Sequence, residues 1–578
     1  MMINSVHLEN FRALEDTGNI PIKKLTILLG KNSIGKSSFL RSFPLFQQSL
    51  LNTRTEPLLW YTPDLVDFGS FDDTKRDGTP DLTPIKFSFN LDADIRNSIR
   101  NHVPFLWTFR NRKGFPHEDP STFSKTDQIN TLIDDVNEIM KEFEFKIPIN
   151  FELNLYGHHA EYVIAVFGSK IVIHHEYKDK NSKKNQINID GTEYHGVSIP
   201  EIKNSQIIPD VNFTAINSET EFVDSSSSGR AAQSIISMLK NSPTSDGLDA
   251  SRKFDFLYNS ELQLMLKKPD FKLFTEKLSK LGETFSDEDK KDINWARVNP
   301  RLRTLREESI AQKILSDSIE FETLYRLLLL SNLNNLVNVI NSEFHNFYSN
   351  MSYSTPVRAN AERSYRNQSL SLNQVNPDGE NVPTILRNLH ENNLNKFNEW
   401  QRWTEKNLNL VFQVVNGNNF SSIYVKSTNE KNFHNLADTG FGYSQMLPII
   451  LNIWLSMQDS SHIRISYDRR QVISLVEQPE LHLHPAMQAS LMHTLDIVLS
   501  KERYMNMIIE THSEYMIKQL GVDIARKIVD PGDVQILIFD ESNGKSVIRT
   551  SKFAKNGTLE NWPLGFFRPD YYSESEFE

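Results

Sequence analysis

An α/β core with a mixed sheet, joined to an antiparallel β subdomain and split by a large helix-rich insertion, is the fold class that the sequence predicts. Three observations predict it. An apolar strand runs into a glycine-rich loop and a helix within the first 75 residues, period-two alternation fills residues 85–199, and strand–helix alternation resumes in the C-terminal section. At 578 residues the chain exceeds what one hydrophobic core usually supports, so two or three structural units are expected.

The N-terminal segment alternates through Ile3, Val6 and Leu8, and residues 25–29 form the apolar run that feeds the loop. Farther on, Ile149, Phe151, Leu153 and Leu155, then Tyr162, Ile164 and Val166, place apolar side chains on one face of successive strands, with turns such as Asp190-Gly191 between strands. An antiparallel sheet is expected there. Residues 228–348 carry helical spacing through Leu257, Leu262 and Leu264 and again over 324–340. A stretch rich in Asn, Ser and Pro, 349–390, leads back to strands near 410–414 and 423–425.

Strands at 472–476, 506–510 and 534–539 then alternate with helices, one of them opening after Pro485, which implies a parallel sheet covered by helices. A hairpin is expected to turn at Asn543-Gly544. The resulting boundaries are 1–210 for the N-terminal part of the core with its antiparallel subdomain, 211–404 for the mainly helical insertion, and 405–578 for the return to the core.

Complete absence of cysteine excludes disulfides and thiolate metal sites and fits a reducing cytoplasm. The net charge of −11 removes any global attraction to nucleic acid, so such binding would need a local basic patch or a partner. No apolar run is long enough to span a bilayer, and the N-terminus enters a strand pattern without the regions of a signal peptide. A cytoplasmic chain without membrane contact is expected.

Gly30-Lys31-Asn32-Ser33-Ile34-Gly35-Lys36-Ser37 matches the phosphate-loop pattern G-x-x-x-x-G-K-[ST] between a strand and a helix, the context that the pattern requires. The glycines let backbone amides turn toward phosphates, Lys36 reaches the β and γ phosphates, and Ser37 can ligate magnesium, with Ser38 next in the binding segment. ATP and Mg²⁺ are therefore the expected cofactors. Val472-Ile473-Ser474-Leu475-Val476-Glu477 reads as a buried strand ending in a carboxylate, which makes Glu477 the candidate acid for the metal.

The phosphate loop, Glu477-Gln478-Pro479-Glu480-Leu481-His482-Leu483-His484-Pro485 and Glu510-Thr511-His512-Ser513 together resemble the ABC-type, SMC-like ATPase heads grouped with OLD and PtuA proteins, which occur largely in bacterial anti-phage systems. Under half of the chain, residues 1–75 and 405–578, carries the resemblance. It implies an ABC/SMC-like head in which His512 senses the γ-phosphate. It also makes Asp438-Thr439-Gly440-Phe441-Gly442-Tyr443-Ser444-Gln445, entering an apolar helix at 446–457, look like the signature motif that contacts a nucleotide held by another protomer. Gly442, Ser444 and Gln445 are its implied nucleotide-binding residues, and glycine-rich backbone at a helix N-terminus independently suits an anion.

Two departures from the family pattern matter. Gly442 stands where the usual signature has serine, with Ser444 as a replacement, and Gln478 stands where many such heads place the glutamate that polarises water. An amide cannot accept a proton as a carboxylate does, so hydrolysis is expected to be slow or to depend on Glu480. His482 and His484 lack a clear third ligand for a metal. Arg358, in Ser354-Thr355-Pro356-Val357-Arg358, reads equally as a phosphate contact or as a surface arginine.

OLD nucleases append a TOPRIM domain, for which the chain after His512 is too short. The resemblance therefore points to PtuA-like heads of the Septu and retron-associated kind, which act beside a separate HNH nuclease. It implies a homodimer or higher oligomer through the heads, a PtuB-like HNH partner, and a retron reverse transcriptase with its RNA–DNA as a further candidate. The expected function is a Mg-dependent ATPase that serves as sensor or scaffold in anti-phage defence. The alternative is a DNA-repair ATPase resembling RecF or Rad50 heads, which would bind DNA directly through the basic clusters at 178–184 or at Arg301, Arg303 and Arg306.

Overall fold

The computed structural model describes residues 3–80, 82–94, 146–166, 168–178, 185–195, 197–213, 326, 329–330, 333–368, 370, 372, 374–462, 472–502, 504–542 and 545–561. Two sheets share the helix Lys36–Leu51 between them.

The strand Leu25–Gly30 is buried along its whole length because it lies near the middle of a seven-stranded sheet. Across that sheet the order is Met351–Ser354, Val472–Glu477, Met505–Glu510, Leu25–Gly30, Val534–Ser542, Lys545–Phe553 and Leu559–Glu560. The first five strands run parallel, and each of the last two pairs antiparallel with the strand before it. Parallel strands covered on both faces must be apolar at nearly every position, which is why 25–29 and 472–476 read as apolar runs, each interrupted once, by Thr26 and by Ser474. Leu25, Ile27 and Leu29 face one core, shared with the helices Phe441–His462, Pro485–Lys501 and Glu514–Ala525, while Leu28 faces the other.

That second core belongs to a nine-stranded antiparallel sheet built by Ile3–Phe11, Leu14–Asp16, Ile20–Pro21 and the ladder from Ile85–Asp94 through Lys146–Leu155, His159–Val166 and Ser169–Glu176 to Gln186–Ile189 and Thr192–Tyr194. Its inward face packs on the helix Lys36–Leu51, where the Phe46 ring lies 5.2 Å from Phe87 and 5.1 Å from Phe89. The helix Leu333–Tyr348 closes this core, with Phe344 4.9 Å from Phe89. Aromatic pairs at such spacings add about 0.5–1.5 kcal/mol each beyond the burial of their area. The phosphate-loop helix is thereby fixed from both sides.

The expected antiparallel sheet, the parallel strands of the C-terminal section and the hairpin pairing Ser542 with Lys545 are all present. The core sheet resumes well before residue 405: Met351–Ser354 pairs parallel with Val472–Glu477, and the helices Val382–Asn392 and Leu394–Leu408 contribute Leu386 and Trp400 to the C-terminal core. A run rich in Asn and Ser hid a short strand whose partner lies more than a hundred residues downstream. Of the expected insertion, Leu257, Leu262, Leu264, Arg301, Arg303 and Arg306 lie outside the described residues, as does most of 178–184. Among the described residues, no helix is long and apolar enough to cross a membrane.

Between the helices Pro485–Lys501 and Glu514–Ala525, Asp496 is fully buried beside Asp523, which also accepts from His493 at 2.9 Å. Burial, and then the neighbouring Asp523, push the Asp496 carboxyl well above its ordinary value of 3.8. The folded chain therefore holds a proton that the unfolded chain releases above about pH 4, so this site lowers stability as pH rises from there. Asp496→Asn, which keeps the shape without the ionisation, is expected to raise stability at pH 8 by roughly 1–3 kcal/mol and to change little at pH 4. Denaturant melts at the two pH values check this; an equal effect at both would refute it.

Candidate functional site

The loop after Leu25–Gly30 has a backbone that glycine alone tolerates at two points. Gly30 has φ 145°, and a Cβ there would sit 2.3 Å from the carbonyl oxygen of Phe539; Gly35 has φ 106°, and its Cβ would meet Leu14 at 2.5 Å. Ser33 adopts φ 65° between them. Lys31, Asn32 and Ser33 are exposed, Ile34 is buried as the anchor, and Ser37 and Ser38 are half-buried in the first helical turn. No side chain caps the helix Lys36–Leu51 at Gly35, so its first amides stay available to an anion.

Lys36 is only 3% exposed. Its ammonium donates to the carbonyl of Gly30 at 2.9 Å and to that of Lys31, and stands 3.9 Å from Glu510. Burial lowers its pKa, and Glu510 partly opposes that shift.

Parallel register brings two acids to the same level. Leu28 pairs with Glu510, and Glu510 with Glu477, so both carboxylates emerge beside the loop at the ends of neighbouring strands. The Ser37 hydroxyl donates to Glu510 Oε1 at 3.0 Å, whereas Glu510 Oε2 is buried without a hydrogen-bond partner. Burial first, and the nearby Glu477 second, push Glu510 up to about 7. Glu477 is held by Arg41, whose Nε and Nη2 each donate at 2.8 Å, and by the Tyr353 hydroxyl at 2.7 Å. The carboxylate touching Ser37 is thus Glu510, with Glu477 behind it in a bidentate ion pair.

Arg358 is buried, not a surface arginine. It donates from Nη2 to the backbone carbonyl of Glu477 at 2.8 Å, while Nε and Nη1 have no hydrogen-bond partner. Burial lowers its pKa to about 10.

Gln478, half-buried with φ 42°, is fixed through its backbone N–H, which donates to the carbonyl of Glu510 at 2.7 Å. Glu480 is 9% exposed, and both its oxygens accept bonds from one loop: the Thr511 hydroxyl at 2.8 Å and the His512 amide at 2.6 Å. The exposed His512 is thereby tied to the turn that follows Glu477. Burial and then the Lys36 ammonium hold the His512 imidazole below its ordinary pKa, hence neutral at pH 7. His484 caps the helix Pro485–Lys501 by accepting from the Ala486 amide at 3.3 Å, and His482 is exposed with φ 62°.

The helix of the signature segment begins at Phe441, five residues before the expected apolar stretch. Gly442 approaches the carbonyl of His482 and the side chains of Leu483 and Met487, each 3.6 Å from where its Cβ would be. Ser444 and Gln445 are 6% and 3% exposed, and Gln445 donates to the carbonyl of Arg358 at 3.4 Å. Within one protomer these residues pack on Arg358 and on the loop after Glu477.

Arg41 and Tyr353 are members of the constellation that the sequence reading does not name, and Glu510 enters that reading only within its motif, without a role of its own. For Arg41 a readable signal exists, since it lies one helical turn beyond Ser37 and so on the same helix face. Tyr353 and the role of Glu510 depend on strand order, which no local pattern encodes.

A family model described as an AAA ATPase domain matches residues 1–517. No curated protein gives a match. Among solved structures, the Smc head domain with an extended coiled coil bound to the C-terminal domain of ScpA, from Pyrococcus furiosus, is 12% identical, with 95% of this chain and 96% of that chain covered and a TM-score of 0.32. The Smc head domain with a coiled coil and joint from Pyrococcus yayanosii is 11% identical (96% and 98% covered, TM-score 0.30), and the SMC head domain from Thermotoga maritima is 9% identical (95% and 98% covered, TM-score 0.30). Superpositions this loose carry no argument about the present chain.

Proposed function

The chain belongs to the AAA ATPase domain family, and we propose that it works as an ATP-operated switch whose heads join around nucleotide and so control a separate HNH-type nuclease in anti-phage defence. The observation that carries the switch is the meeting of Lys36, Ser37, Glu510 and Glu477 at the C-terminal ends of three adjacent parallel strands. The donor set fits the cofactors. Lys36 and the uncapped loop amides would hold the phosphates, and Ser37 with the unpartnered Glu510 oxygen, backed by Glu477, offers the hard oxygen ligands that magnesium requires. Bound ATP with magnesium supplies a transferable γ-phosphoryl group whose charge the metal offsets.

Glu480 in this reading positions His512 rather than taking a proton, because both of its oxygens are occupied by the Thr511–His512 loop. Gln478 would orient water without deprotonating it, so turnover is slow. Gln478→Glu is expected to raise the rate of phosphate release at least ~10-fold; an unchanged or lower rate would remove Gln478 from the reacting centre.

The nuclease partnership rests on the motif set from the loop at 30–37 to Glu510-Thr511-His512-Ser513. It predicts that the isolated chain hydrolyses ATP weakly and cuts no DNA or RNA, and that co-purification with an HNH nuclease strengthens in ATP with magnesium. Cleavage by the chain alone, persisting through repeated purification, would overturn it.

A further inference from the structure

Far from the nucleotide loop in sequence, two neighbouring strands of the antiparallel sheet present a square of alternating imidazoles and carboxylates. His159 and Glu161 sit two residues apart on His159–Val166 and therefore on one face; His174 and Glu176 do the same on Ser169–Glu176. The register pairs His159 with Glu176 and Glu161 with His174, so each histidine faces a carboxylate across the ladder. His158, in the connection just before His159, brings a third imidazole with its Nε2 2.9 Å from His159 Nδ1.

Surface ion pairing accounts for only part of this. His174 Nε2 does lie 3.3 Å from Glu176, but the His159 ring also stands 4.6 Å from the His174 ring and 4.5 Å from that of His158, so two further imidazoles lie close to it. Ligand atoms of His159, Glu161 and His174 all lie within 4.8 Å of one another, as do those of His158, His159 and Glu176. The surroundings hold the ligands in place. Tyr156 stacks on His159 at 4.3 Å and 7°, and its hydroxyl donates to Glu161 at 3.3 Å, the kind of outer support that fixes the orientation of metal-binding side chains.

We propose that His159, Glu161 and His174, with His158 or Glu176 completing the set, form a site for a divalent transition metal of the zinc type. The chain has no cysteine, so imidazole is its one strong ligand for such an ion, and two or three imidazoles with a carboxylate are a zinc-compatible set at bonds of about 2.0–2.2 Å. The residues are half-buried to exposed, which leaves a path for entry and for the small rotations that coordination needs. Metal bound there would pin two strands and the turn at 156–158 together.

The test uses the untagged full-length chain, stripped with chelator and dialysed against micromolar Zn²⁺, with bound metal counted by mass spectrometry. Roughly one zinc ion per chain is expected at this site, with a rise in melting temperature that millimolar Mg²⁺ does not reproduce. A His159→Ala/His174→Ala double variant is expected to lose at least ~10-fold in zinc affinity, and the isosteric Glu161→Gln variant a smaller factor, while both keep basal ATP turnover. Co²⁺ substitution should give the visible absorption of a four-coordinate ion in the wild type alone. Failure of the wild type to take up zinc, or binding by both variants as tight as wild type, would overturn the proposal.

Discussion

Replacing Lys36 with alanine is expected to lower ATP turnover at least ~100-fold and to weaken nucleotide binding with it, because the ammonium is the one cation buried within the phosphate loop and its loss leaves phosphate charge opposed only by the loop amides and the metal. The fold should survive. The carbonyls of Gly30 and Lys31 lose a donor but border the exposed positions 31–33, so the cost is that of a partly solvated hydrogen bond, about 1 kcal/mol. Phosphate release and titration with a fluorescent nucleotide, run beside a denaturant melt, separate the two effects. A variant that keeps more than a tenth of wild-type turnover while folded would show that the loop is not the catalytic one.

A second large effect belongs to Glu510. Its carboxyl titrates near 7 in the metal-free chain, raised by burial and by Glu477, and binding of magnesium requires the ionised form. The ionised fraction is about one-tenth at pH 6 and about nine-tenths at pH 8 for a group of that pKa. Apparent affinity for Mg²⁺, read from the metal dependence of turnover, is therefore expected to tighten by roughly tenfold across that interval. Glu510→Gln should weaken it about 10–100-fold and flatten the pH dependence, since an amide has no proton to lose. The same slope in variant and wild type would transfer the titration to another group.

How much of this could be read from the sequence differs between elements. The phosphate loop announces itself because its chemistry is local: glycines at positive φ, a lysine and a hydroxyl at fixed spacing. The positions of Glu477 and His512 were also legible, each ending or following an apolar strand. Glu510 stood in plain view yet had no evident role, because its contact with Ser37 follows from Met505–Glu510 lying between Val472–Glu477 and Leu25–Gly30, and strand order is a property of the assembled sheet. Tyr353 was hidden for the same reason, in a polar stretch that reads as a loop until Met351–Ser354 pairs at the sheet edge. Glu480 was legible as a carboxylate near the site, but its service to Thr511 and His512 depended on how one loop folds over another.

The placement of Leu25–Gly30 governs how the protein is made as well as how it works. Both neighbours of that strand, Met505–Glu510 and Val534–Ser542, leave the ribosome some five hundred residues after it does. Throughout most of synthesis a nascent chain therefore carries this fully buried strand without either of its sheet neighbours, the condition in which strands recruit wrong partners. Closure of a sheet by such distant contacts is intrinsically slow, so the end of translation and the interval just after it are when its strand edges are most open to mispairing. The meeting of Lys36 and Ser37 with Glu510 and Glu477 cannot form before then, so the candidate site is among the last parts of the molecule to assemble.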